Sequence, residues 1–163
     1  MLKRIILHWT AGRYYPTEFE KNYYHYLIDV EGNVIPGKYK PEDNIDCTDG
    51  CYAAHTGGGN TGSIGVSMCG MYGFVLNSFC GYYPIERRQF EACMKFMAEL
   101  CKKYEIKVSP QTVLTHYEFG KAHPKTSSAG KVDIVYIPPY PWVARDDVGA
   151  FIRTKVRWYF EKL

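Results

Sequence analysis

The sequence predicts a single α/β domain spanning residues 1 to 163, with a mixed central β-sheet flanked by α-helices. Three observations predict it. The runs "KRIILHW" and "TVLTH" are short, continuous and apolar, as buried strands are. Two longer segments, residues 86 to 104 and 148 to 160, carry apolar residues at helical spacing. No repeat, linker or low-complexity stretch divides the chain, and 163 residues are one domain's worth, enough to bury roughly two thirds of the unfolded surface.

The elements follow in order. "KRIILHW" is an isoleucine-rich opening strand that ends at His8. "YYHYLIDVEGNVIPG" alternates aromatic and aliphatic residues around Glu31-Gly32-Asn33 and reads as a hairpin, with Tyr24 and Tyr26 on one face and His25 on the other. Residues 41 to 62 form a loop ending in "HTGGGNTG", whose glycines allow tight folding and close approach to a ligand. "SIGVSMCG" is a strand with Ile64, Val66 and Met68 on one face and small residues on the other, a pattern of close packing. From Glu86 to Tyr104 the positions Phe90, Met94, Met97, Cys101 and Tyr104 mark a core-facing helix. "TVLTH" is a second buried strand that ends on a histidine, His116, and a long loop with Lys131 and Asp133 follows. "IPPYPW" breaks the chain before a last helix, capped by Asp146 or Asp147, that turns Val148, Phe151, Ile152, Val156, Tyr159 and Phe160 inward.

Composition narrows the function. The net charge of +3 is small and evenly spread, with no basic stripe, which argues against a nucleic-acid partner. Aromatic residues make up 16% of the chain, with 15 tyrosines, a supply of amphipathic rings suited to carbohydrate-like or peptide ligands. "MLKRIILHWT" has an apolar run far short of a signal-peptide core of about 7 residues or a membrane span of about 20, so an unexported chain with no membrane span is expected. For such a chain the six cysteines are expected as reduced thiols. Cys93 and Cys101 lie about 12 Å apart along one helix, too far to bridge. Cys47 and Cys51 could bridge or bind a structural zinc, but C-x3-C without a second pair is a weak zinc signal.

Two strands that each finish on a histidine would bring His8 and His116 together at the rim of one sheet. Joined by a carboxylate, such a pair supplies three ligands to zinc and leaves a fourth position for water, the pattern of a catalytic site.

The segments "IILHWTAG", "YYHYLIDVEGNV", "AAHTGGGNTGSIGVSMCG", "VLTHYEF" and "GKVDI" resemble, in order, the blocks of the zinc-dependent N-acetylmuramoyl-L-alanine amidases, the family that includes phage lysozyme-amidases and animal peptidoglycan recognition proteins. The resemblance covers almost the full chain and is greatest to single-domain phage or prophage endolysins. It implies an amidase-like fold, one Zn2+ held by His8, His116 and Asp133, and hydrolysis of the amide between the lactyl group of N-acetylmuramic acid and L-alanine of the stem peptide. It implies Lys131 and Tyr24 as catalytic groups, and His55 and Asn60 in the substrate groove. The partner implied is bacterial peptidoglycan, met by a monomer that is made in the host cytoplasm and reaches the wall after release. A catalytically inactive peptidoglycan-binding protein of the same fold is the alternative, although sensing members are expected to lack a metal ligand.

The chain departs from the family in one place. Many relatives use cysteine in a Lys-x-Cys element, and "KTSSAG" resembles that segment with serine at the ligand position, which would make Lys125 catalytic and Ser127 a ligand. A neutral hydroxyl is a poor zinc ligand, whereas a carboxylate oxygen at about 2.0 to 2.2 Å is ordinary, so Asp133 is preferred. On an extended segment Lys131 shares a side with Asp133, where its ammonium would stabilise a tetrahedral oxyanion by about 3 kcal/mol. His25 is expected as a buried structural histidine and His123 as a solvated one.

Overall fold

The computed structural model describes all 163 residues. Five strands form one sheet: β1 (Arg4–Trp9), β2 (Tyr26–Ile28), β3 (Val34–Pro36), β4 (Ser63–Met68) and β5 (Val113–Thr115), in the order β3-β2-β4-β1-β5. β1 runs parallel to β4 and β5, β2 runs parallel to β4, and only β3 is antiparallel, closing the expected hairpin on β2. In that hairpin Asp29 Oδ1 accepts the N–H groups of Glu31 and Asn33. Three helices complete the fold: α1 (Arg87–Lys103), α2 (His116–Ala122) and α3 (Val148–Phe160). No helix is long and apolar enough to cross a membrane.

The period-2 alternation of the strands sorts residues between two unlike faces. Ile5, Leu7 and Trp9 of β1 join Ile64, Val66 and Met68 of β4 in one core, which also takes Phe90, Met94 and Met97 of α1 and Val148, Ile152 and Val156 of α3. Both long helices therefore cover the same face. The opposite face carries Ile6, His8, Ser63, Gly65 and Ser67. Its only apolar cluster is Ile6, Leu114 and Phe119. What closes it is the loop of residues 41 to 62, tied down by buried Asn44, which donates to the carbonyls of Ala53 and Asn60 at 2.9 and 3.1 Å and accepts from Ala53 N–H at 3.0 Å.

The glycines of that loop serve internal packing. A Cβ at Gly57 would lie 1.7 Å from Ser127 Oγ, so the run lies against residues 126 to 128. On the small-residue face of β4, a Cβ at Gly65 would meet the His55 ring at 2.4 Å, so the pattern of close packing is filled by a histidine.

Three local expectations differ. Strand β2 begins only at Tyr26, so alternation does not extend back to Tyr24: Tyr26 packs on Phe96 of α1, whereas Tyr24 lies against His8. At α3, Asp147 occupies the N-cap position but makes no side-chain capping bond. Phe160, at the end of that helix, is 43% exposed because the helix has already run past the core there.

Candidate metal centre

Leu7 of β1 is paired with Thr115 of β5, so the next residues, His8 and His116, leave the sheet side by side. His116 does not open a loop; it is the first residue of α2. Thr115 accepts from the Glu118 N–H at 3.1 Å while the Glu118 carboxylate accepts from the Thr115 N–H at 3.0 Å, a reciprocal cap that "THYE" spells out. From α3, buried Arg153 grips the same carboxylate with two bonds of 3.0 and 3.1 Å and donates a third to the Val113 carbonyl. The backbone carrying His116 is thus held from three directions. Asp133 arrives on a turn, fixed where its carbonyl accepts the Tyr117 N–H at 2.7 Å.

These elements bring three ligand atoms together. His8 Nδ1 lies 2.9 Å from Asp133 Oδ2 and 3.2 Å from His116 Nδ1, and His116 Nδ1 lies 3.2 Å from the same carboxylate. His8 is 1% and His116 6% exposed, and Asp133 is half-buried. Burial pushes the His8 imidazole down to about 4, with the neighbouring His116 adding to the effect and Asp133 opposing it, so His8 is neutral near pH 7 and keeps a lone pair to offer. Burial acts to raise the Asp133 carboxyl, but hydrogen bonds from His116 and His8 outweigh it and hold the group below its ordinary value. Two imidazole nitrogens facing each other beside a carboxylate oxygen form a donor set that a cation satisfies, and the set matches zinc.

The other sequence-predicted residues divide. Tyr24 is half-buried with its ring 5.2 Å from that of His8, and burial together with the Asp133 charge holds its phenol above the ordinary tyrosine value. Lys131 and Val132 are irregular rather than an extended strand; Lys131 is exposed and joins no ion pair. Lys125 and Ser127 are exposed. His55 is 6% exposed and stands edge-on behind His8, their ring centroids 5.2 Å apart, while Asn60 accepts the Thr56 N–H at 2.8 Å. His55 braces the site from within, and Asn60, half-buried, holds Thr56 in place. His25 is buried: its Nδ1 accepts the Gly65 N–H and its Nε2 donates to Asn44 Oδ1. His123 is exposed and stacks on Phe119. All six cysteines are free thiols, with Cys69, Cys93 and Cys101 buried.

Two contributors escaped the sequence reading. Thr56 Oγ1 lies 3.3 Å from His8 Nε2, and Ser128 Oγ lies 3.0 Å from His116 Nε2. Ser128 carries no local signal; Thr56 adjoins a glycine run whose purpose shows only in three dimensions.

The family model for N-acetylmuramoyl-L-alanine amidase matches residues 2–131, which takes in His8, Tyr24, His116 and Lys131. The chain belongs to this amidase family. Solved structures share its fold. The N-acetylmuramyl-L-alanine amidase AmiD from E. coli, in complex with an anhydro-N-acetylmuramic acid peptide, superposes with a TM-score of 0.57 at 20% identity over 94% of this chain and 57% of that one. A PlyL variant gives 0.53 at 23% identity, covering 95% and 84% of the two chains. The Ph2119 endolysin from a Thermus scotoductus bacteriophage gives 0.51 at 16% identity, covering 94% and 83%. No curated protein sequence matches the chain.

Proposed function

We propose that this chain is a zinc-dependent peptidoglycan amidase of the endolysin type, cleaving the amide between the lactyl group of N-acetylmuramic acid and L-alanine of the stem peptide. The observation that carries the reading is the convergence of His8 Nδ1, His116 Nδ1 and the Asp133 carboxylate in a chain of the amidase family. These three residues would hold one Zn2+. Bound there, zinc would polarise the scissile carbonyl and make water nucleophilic at neutral pH.

The remaining roles belong to side chains around that site. Lys131, exposed and free of ion pairs, has a long flexible stem whose ammonium can settle on the carbonyl oxygen as negative charge develops there. Tyr24, with its proton held tightly, stays a hydrogen-bond donor through the neutral range and can orient the same oxygen or the attacking water. Asn60 and His55 keep the loop of residues 41 to 62 seated under His8, so that the ligands do not have to be ordered when substrate arrives. An inactive binding protein would have no use for a complete ligand set, and the presence of all three donors favours the hydrolase. Partner and location follow from the same reading: peptidoglycan as substrate, met by a monomer at the wall.

Mass spectrometry of purified peptidoglycan after digestion tests bond and metal together. The expected products are stem peptides with a new L-alanine amine and glycan with free lactyl carboxyls, absent after chelation and restored by zinc. Cleaved glycosidic bonds, or unchanged activity in chelator, would refute the reading.

A further inference from the structure

Each histidine of the centre has a second ring nitrogen, and the partners of those nitrogens form two chains that end on backbone carbonyls. The first begins at Ser63, whose carbonyl lies 3.3 Å from His55 Nε2. A carbonyl can only accept, so His55 carries its proton on Nε2 and offers a lone pair at Nδ1. Thr56 Oγ1, 2.7 Å away, therefore donates to His55 Nδ1 and keeps its own lone pairs for His8 Nε2 at 3.3 Å. His55 Nδ1, itself 3.2 Å from His8 Nε2, is a second acceptor at the same place. His8 Nε2 faces acceptors alone and carries a proton, while Nδ1 faces the Asp133 carboxylate at 2.9 Å and becomes the free lone pair once a cation sits between them.

The second chain has the same logic. Ser128 Oγ donates to the Gly57 carbonyl at 2.7 Å, so its single proton is committed and it accepts from His116 Nε2–H at 3.0 Å. His116 Nδ1, 3.2 Å from the same carboxylate, is then the nitrogen that this ring offers to a cation. Both chains are buried, and both are anchored at the glycine run, one through Thr56 and the other through Gly57. The same run lies against residues 126 to 128, where a Cβ at Gly57 would meet Ser127 Oγ at 1.7 Å.

We infer that the hydroxyls of Thr56 and Ser128 are positioning groups that lock His8 and His116 in the Nε2–H form, so that both rings present Nδ1 to one ion. The inference rests on the metal reading above, and its readouts, zinc affinity and ring protonation, do not require turnover. Partners of this kind are generally worth about 10- to 100-fold in metal affinity.

The test uses the full chain, its Thr56→Val, Thr56→Ser and Ser128→Ala variants, side-chain 15N NMR of the zinc-bound parent and zinc affinity by competition with a chromophoric chelator. Thr56→Val keeps the shape and loses the hydroxyl; Thr56→Ser does the reverse. The zinc-bound parent should show Nε2–H at His8 and His116 with Nδ1 coordinated. Thr56→Val and Ser128→Ala should each weaken zinc by about 10- to 100-fold, while Thr56→Ser stays with the parent and the melting temperatures of the metal-free variants show that the fold is retained. A zinc-bound parent with Nδ1–H at either histidine overturns the inference, as does Thr56→Val binding zinc no worse than Thr56→Ser. A parent that takes up no zinc at all overturns the metal reading and the inference with it.

Discussion

On one face of the sheet, Ile5, Leu7, Ile64 and Val66 meet two amphipathic helices in a continuous apolar core; on the other, His8, Ser63 and Gly65 meet the loop, a turn and His25 through directed hydrogen bonds. The same strands supply both. Apolar packing is tolerant of sequence and non-directional, so it stabilises without specifying chemistry. The polar face needs each donor to find its acceptor, and it gains specificity at the expense of being easily spoiled. Stability and activity should therefore separate by face.

The largest effect expected on the core face comes from Phe90→Ala. Phe90 is fully buried among Tyr140, Phe151 and the sheet, and truncation should cost about 3 to 5 kcal/mol of stability. Denaturant unfolding measures it, and turnover at low temperature should be nearly unchanged. A fall in kcat matching the lost stability would show that the faces are not independent.

Lys131→Ala is the counterpart on the site side. It should lower kcat by about 10² to 10³ while zinc content and melting temperature hold, because its contribution exists only once charge develops in the transition state. Lys125→Ala should be nearly silent. If Lys125→Ala is instead the damaging change, the Lys-x-Asp register is wrong.

The smallest expected effect is a pH dependence of the polar face. His25 is held neutral by burial, with its value pushed down to about 4 despite the hydrogen bond to Asn44, against about 6.5 when unfolded. The unfolded chain therefore binds the extra proton first, so stability is full above about pH 6.5 and falls as pH drops towards about 4, by roughly 3 kcal/mol from this residue. Melting temperatures of the metal-free protein between pH 7 and 5 should show the fall, with a flatter slope for His25→Gln. Equal slopes in both would remove His25 as the cause.

The two faces also differed in how far the sequence disclosed them. A continuous apolar run announced β1, period-2 alternation β4, and helical spacing α1 and α3, because their partners need only be apolar. His8 and His116 were legible as a pair because each sits where an apolar run stops. Helix α2 is hidden in the sequence although Thr115 and Glu118 stand at capping-box spacing, because its first residue, His116, also closes the apolar run of β5. Ser128 and Thr56 could not be read at all: Ser128 bonds the carbonyl of Gly57, 71 residues away, and nothing local distinguishes it from Ser127. The glycine run was visible, but not that Thr126, Ser127 and Phe119 of this chain lie against it.

Zinc stoichiometry across single-site variants tests the central claim most directly, because it asks which residues hold the ion before any substrate is added. Elemental analysis of the parent should give one zinc per chain. Asp133→Ala, His8→Ala and His116→Ala should each lose it, whereas Ser127→Ala and the paired Cys47→Ala, Cys51→Ala change should keep it. Full zinc in Asp133→Ala, or zinc lost with the two cysteines and retained without His8, would contradict the account.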